Sequence, residues 1–185
     1  MKPLKERCQA FRPIKYTRVT RDGESYSLTE KFTYRVLRTC VWTYKRLPEA
    51  NQLAQLIRFM IDSTVRRFQD YSVKEKFGGH YREVGLNLTD KVEFEHVVPL
   101  AIARDMLLHD LMTIEEVMHI PTCVVLKKNH KKLNSKKLAK TTPNVYEFWE
   151  RYKILNIQIE THKGDKVDMS AWNLDQHYSY FQIKR

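Results

Sequence analysis

Cysteine is scarce in this chain. Cys8, Cys40 and Cys123 are an odd number, far apart, with no CxxC pair. That argues against a disulfide framework and against a cysteine-based zinc site, so reduced, buried thiols and no structural zinc are expected. Glycine and proline are also few, 5 and 6 among 185 residues. With no internal repeat and no low-complexity run, the chain reads as neither fibrous nor disordered. Its one Gly-Gly, in Phe77-Gly78-Gly79-His80, is too short and isolated for a phosphate loop and reads as a hinge or turn. No apolar run approaches the roughly 20 residues of a membrane span. The opening MKPLKERCQAFRPIK lacks the apolar stretch of a secretory signal. The expectation is a cytoplasmic protein without a membrane partner.

Acids are missing from one long window. None lies between Glu116 and Glu147, while seven lysines lie between Lys127 and Lys140. The whole chain carries a net charge of +11. Residues 1–90 carry 18 Lys and Arg against 10 acids, and residues 91–185 carry 15 against 12. A polyanionic partner follows, because neutralising phosphates supplies most non-specific nucleic-acid affinity. The remaining composition, 42% hydrophobic and 11% aromatic, suffices for one domain with a real core, or one domain with an appendage.

Ser27-Leu28-Thr29-Glu30 forms a capping box that can open a helix through about Arg46, stopped by Pro48. A second helix is expected from Glu49 to Tyr71, with Leu53, Leu56, Ile57, Met60, Val65 and Phe68 on a 3.6 period. Arg58, Arg66 and Arg67 fall largely off that stripe. The pair reads as a helical hairpin. Val92 to Val98 reads as a strand, with Pro99 opening a helix from Leu100 to Asp110. Thr113-Ile114-Glu115-Glu116 is a second capping box, for a short helix ending before Pro121. A strand is expected at Cys123–Leu126, and a basic helix from Asn129, as its cap, to Lys140. Thr142-Pro143 can open a helix through about Tyr152, and Ile154–Glu160 alternates like a strand. The aromatic tail after Gly164 has no clear pattern.

Four polar residues sit where two strands and a helix would converge. Glu95 and His96 are adjacent in the first strand; His130 and Asn134, four apart, share one face of the basic helix. Phosphodiester hydrolysis needs a base for water, a hard cation against developing charge, and basic groups to hold the strand. Glu95 offers a carboxylate oxygen, as magnesium prefers. His96 offers a base with an ordinary pKa near 6.5. Lys127, Lys128, Lys131, Lys132, Lys136 and Lys137 flank the helix face and can take phosphates. Glu93 is a competing ligand by composition. His80, His109, His119, His162 and His177 read as structural or surface residues, and Trp42, Trp149 and Trp172 as core.

Glu95-His96-Val97-Val98-Pro99, followed by Val124-Val125-Leu126-Lys127-Lys128-Asn129-His130, resembles the HNH endonucleases, the ββα-metal or His-Me finger group. The resemblance covers about residues 92–138. It implies a ββα-metal core, one divalent cation (Mg2+ or Mn2+) and cleavage of DNA. By that resemblance His96 is the general base, Glu95 a metal ligand, and Asn134 or His130 the ligand on the helix, with Asn134 preferred because an amide suits magnesium. The family's middle Asn falls at Pro121 or Thr122 here, and its paired zinc knuckles are absent. Glu95 and His96 would also leave an ideal strand on opposite faces, so the strand must end or distort there.

The expectation is therefore an α+β protein. A basic, mainly helical region (1–90) would give DNA contacts through Arg58, Arg66 and Arg67, or a homodimer interface. An HNH-like core (91–140) and a C-terminal helix/strand extension (141–185) would follow. The expected activity is metal-dependent endonuclease on DNA. A non-catalytic nucleic-acid-binding protein, or a ribonuclease using the same site, stands as the alternative. The resemblance also implies a phage or mobile-element origin, hence the host cytoplasm.

Overall fold

Apolar spacing along the second helix decides how the N-terminal part packs. The computed structural model describes residues 23–48, 51–72, 79–136, 138, 142 and 144–183, with backbone alone over 23–29 and 70–72. Helices α1 (Gly23–Tyr44) and α2 (Gln52–Ser72) pack together. Ala54, Ile57, Ile61, Val65 and Phe68 are buried against Leu37 and Cys40 of α1. These positions recur every three or four residues, as one face of a helix must. The expected stripe is rotated: Leu53, Leu56 and Met60 are 41%, 52% and 41% exposed. Ala54 and Ile61 take their place. Helix α1 also starts at Gly23, ahead of the Ser27 box.

Four strands form one mixed sheet: β1 (Tyr81–Glu83), β2 (Val92–His96), β3 (Thr122–Leu126) and β4 (Ile159–Thr161), in the order β2-β3-β1-β4. β2 and β3 are antiparallel, with Val92 opposite Leu126 and His96 opposite Thr122. β1 runs parallel to β3 and antiparallel to β4. The sheet thus draws strands from all three expected segments. Among the described residues there are seven helices and four strands, an α+β fold.

Helices α3 (Leu100–Leu108) and α4 (Ile114–Met118) fill the connection from β2 to β3 and pack against the hairpin. Pro99 sits just ahead of α3 with extended backbone, φ −55° and ψ 131°. Thr113 caps α4 as its sequence predicts, its hydroxyl accepting from Glu116 N at 3.1 Å while Thr113 N donates to Glu116 Oε2 at 2.8 Å. Helix α5 (Lys127–Ser135) follows β3 directly and packs across β2 and β3. It starts two residues before Asn129, which is therefore inside the helix and buried instead of capping it.

The C-terminal part differs most from expectation. Thr142 opens no described helix; Asn144 turns the chain by accepting from Tyr146 N at 2.9 Å, and the helix α6 is Glu150–Ile154. Asn156 then takes a left-handed φ of 50°, which breaks the alternating run. Only Ile159–Thr161 is strand. Helix α7 (Leu174–Tyr180) begins at a capping box of Asn173 and Gln176 that the aromatic pattern hides. It fastens the tail to Tyr81, whose hydroxyl accepts from Trp172 Nε1 at 2.7 Å and donates to His177 Nδ1 at 2.9 Å. His177 Nε2 in turn meets the His119 carbonyl at 2.8 Å, so the proton sits on Nε2. His177 is thus structural, and Trp149 is buried core. Trp42 is instead 57% exposed, with the Arg46 guanidinium 3.9 Å from its ring centre. Cys40 and Cys123 are buried free thiols, and Cys8 lies outside the described residues.

Candidate active site

Glu95 and His96 end strand β2, the outer strand of the sheet on one side. The strand keeps its register through His96, with Glu95 opposite Cys123 and His96 opposite Thr122. The two side chains therefore leave opposite faces. The His96 ring packs with Phe94, two residues back, at 5.5 Å between centroids. The expected distortion before Pro99 begins only after His96, so the pair shares a strand end without sharing a face.

Both side chains are buried, Glu95 at 7% and His96 at 8% exposure. Glu95 Oε1 lies 2.6 Å from Nη2 of Arg151, which is fully buried in α6. The same Nη2 donates to the His96 carbonyl at 2.6 Å, and Arg151 Nη1 donates to the Leu138 carbonyl at 3.0 Å. Arg151 is absent from any sequence reading of the site. No local pattern marks it, because its partners lie 13 to 56 residues away. Glu95 Oε2 and His96 Nε2 are among the buried heteroatoms without a hydrogen-bond partner among the described residues, as are Asp62 Oδ1 and Trp149 Nε1 away from the strand end.

Burial pushes the Glu95 carboxyl up, while Arg151 and then His130 pull against that shift. His96 is pushed down to about 3, first by burial and then by the charges of Arg66 and Arg151. Its imidazole is neutral across the physiological range and a weaker base than an ordinary histidine.

Helix α5 brings His130 to Glu95. His130 is half-buried and its charge acts on the Glu95 carboxyl, whereas Asn134, one turn on, is exposed. The preference for Asn134 as the helix-side ligand thus gains no support from burial. Asn129 has a different task from the expected cap. Its Nδ2 donates to Glu83 Oε1 at 2.7 Å, and Glu83 Oε2 accepts from Leu126 N at 2.9 Å. Glu83, on β1, is buried and so fixes the turn from β3 into α5.

Lys127, Lys128, Lys131, Lys132 and Lys136 are exposed, as a phosphate-binding rim requires; Lys137 lies outside the described residues. Lys127 pairs with Glu93 at 3.3 Å, which ties up the competing acid. Arg66 and Arg67 are exposed on α2, and among charged groups Arg66 acts most strongly on His96. Arg58 is differently employed. It donates to Asp105 Oδ1 and to the Tyr44 hydroxyl, each at 2.7 Å, and so fastens α1, α2 and α3 together. Among the described residues no three His, Cys, Asp or Glu side chains group to hold a metal ion, and no helix is long and apolar enough to cross a membrane.

Comparison with family models, curated proteins and solved structures finds no match for this chain.

Proposed function

We propose that the chain is a metal-dependent endonuclease of the HNH type acting on DNA. The observation that carries this reading is the pair of buried, partnerless heteroatoms, Glu95 Oε2 and His96 Nε2, on adjacent residues of an outer strand end beside an acid-free lysine helix. Most buried polar atoms in native proteins have partners, and these two orphaned atoms lie on adjacent residues at one strand end, where a bound ligand would satisfy them. Because β2 is the outer strand, a nucleic-acid backbone lying along its edge reaches side chains from both faces.

The donors fit a hard, largely hydrated cation. One carboxylate oxygen from Glu95, with His130 or Asn134 on the helix side, leaves most positions to water and a substrate phosphate, as magnesium prefers. An imidazole ligand would suit Mn2+ better. Bound there, the cation would offset negative charge developing on the reacting phosphate. His96 takes a proton from the attacking water at Nε2. The exposed lysines of α5 hold neighbouring phosphates, and Arg66 and Arg67 extend the basic surface along α2.

A second reading has its own observation. The Arg151 ion pair occupies one Glu95 oxygen at 2.6 Å, and His96 is pushed down to about 3, well below a base matched to neutral pH. A protein that grips nucleic acid without cutting it would tolerate both. Plasmid nicking with and without Mg2+, on wild type and His96→Ala, separates the two. Mg2+-dependent nicking lost in His96→Ala supports the nuclease. Nicking that persists in the variant, or tight binding without nicking in wild type, sinks it. RNA cut in preference to duplex DNA would redirect the same chemistry to a ribonuclease.

A further inference from the structure

Arg151 is the only buried Lys or Arg among the described residues. Its guanidinium binds three acceptors from separate places: Glu95 Oε1 and the His96 carbonyl, each at 2.6 Å, and the Leu138 carbonyl at 3.0 Å. These are the candidate acid, the end of its strand, and the chain just beyond the lysine helix. A salt bridge buried this deeply gives little stability over an apolar pair of the same volume, because desolvating two charges offsets their attraction. Its value therefore lies in what it orients. Both oxygens of Glu95 are enclosed, yet Arg151 engages Oε1 and leaves Oε2 without a partner among the described residues. A planar guanidinium can fix a carboxylate in one rotation, which an ammonium cannot.

We propose that Arg151 is the positioning residue of this site. It holds Glu95 by Oε1 so that Oε2 is the oxygen presented to a divalent cation. Through Leu138 it also holds the lysine helix in place beside that oxygen. The proposal rests on the nuclease reading above, in which Glu95 is a metal ligand. Losing a group that orients a metal ligand typically costs about 10–100-fold in metal affinity.

The test measures Mn2+ binding by the full chain without nucleic acid, from the EPR signal of free Mn2+. It compares wild type, Arg151→Lys, Glu95→Gln and the double variant. Thermal unfolding and metal-free duplex binding are recorded alongside. Arg151→Lys keeps the charge but loses the fork. It should bind metal-free duplex within about twofold of wild type yet bind Mn2+ about 10–100-fold more weakly. Glu95→Gln should abolish Mn2+ binding, and adding Arg151→Lys should cost nothing further. An Arg151→Lys protein that unfolds at lower temperature but binds Mn2+ like wild type overturns the proposal and leaves Arg151 a structural staple. Should that variant fail to fold, a crystal structure of wild type with Mn2+ decides. Oε2 on the metal with Oε1 still on Arg151 supports the proposal; metal on Oε1, or a displaced Arg151, overturns it. A wild type that neither binds Mn2+ nor nicks DNA brings down the nuclease reading together with this one. A wild type that does both, with Arg151→Lys unchanged, brings down only this one.

Discussion

Acid should unfold this protein partly through its buried histidines, and His96 gives the effect a size. Its ordinary value is 6.5, and burial, Arg66 and Arg151 push it down to about 3 in the fold. Between those two values the unfolded chain binds a proton that the folded chain refuses. Stability therefore rises with pH across the window and is level above it. One pH unit is about 1.4 kcal/mol. Going from pH 8 to pH 5 crosses about 1.5 units of the window, so His96 alone removes about 2 kcal/mol. That is a sizeable part of the roughly 5–15 kcal/mol that holds a domain folded. His80 and His119 are also lowered by burial and act in the same direction. Glu95 acts in the opposite one: burial raises it, so its contribution is present at low pH and fades as pH rises through the raised value. Urea unfolding of wild type and His96→Gln cancels every group the two share. From pH 8 to pH 5 the variant should gain about 2 kcal/mol on wild type. A difference between the two that stays constant with pH would refute the reasoning.

The basic surface predicts a graded salt response. Each of Lys128→Ala, Lys131→Ala and Lys132→Ala should lower the log–log salt slope of duplex binding by about 0.9, whereas Arg58→Ala should leave that slope alone and lower the unfolding temperature. Glu83→Ala strands the Leu126 amide and the Asn129 side chain, and should cost about 2–6 kcal/mol in urea unfolding, at roughly 1–3 per stranded donor; a loss below about 1 kcal/mol would mean that water replaces the carboxylate there.

What could be read from the sequence was local. β2, β3 and α5 follow from branched apolar runs and a basic helix that carry their own signals, and Thr113–Glu116 and the α2 period are likewise contained within a few residues. The α2 face was misjudged by one position because Leu53, Leu56 and Met60 look apolar but only α1 decides which side is covered. β1 was missed because three residues, Tyr81–Glu83, owe their strand to partners about forty and eighty residues away. Alternation over Ile154–Glu160 suggested a strand that the left-handed Asn156 prevents. Asn173 and Gln176 did carry a legible capping signal for α7, obscured by the aromatic residues around it. At the site, Glu95, His96 and His130 were nameable from spacing. Arg151 and Glu83 were not, since their role is set by long-range burial and by which acceptors the fold leaves open.

In the proposed nuclease, Arg66 would link the basic surface to the proton chemistry of His96. It is exposed on α2, and among charged groups its field does most to depress His96. An exposed arginine is also where a phosphate would settle. A phosphate paired with Arg66 cancels the field that opposes protonation of His96, so polyanion binding should raise the basicity of the ring towards neutral pH, where a general base is most effective. The same cancellation is mimicked by Arg66→Gln. Histidine ring resonances followed by NMR should show His96 titrating higher in Arg66→Gln than in wild type, and higher in wild type with a non-cleavable duplex than without one. High salt should shrink both differences, because Arg66 is exposed and its field is screened. If the duplex raises His96 equally in Arg66→Gln, the shift comes from the phosphates acting directly, and Arg66 is a binding contact with no part in tuning the base.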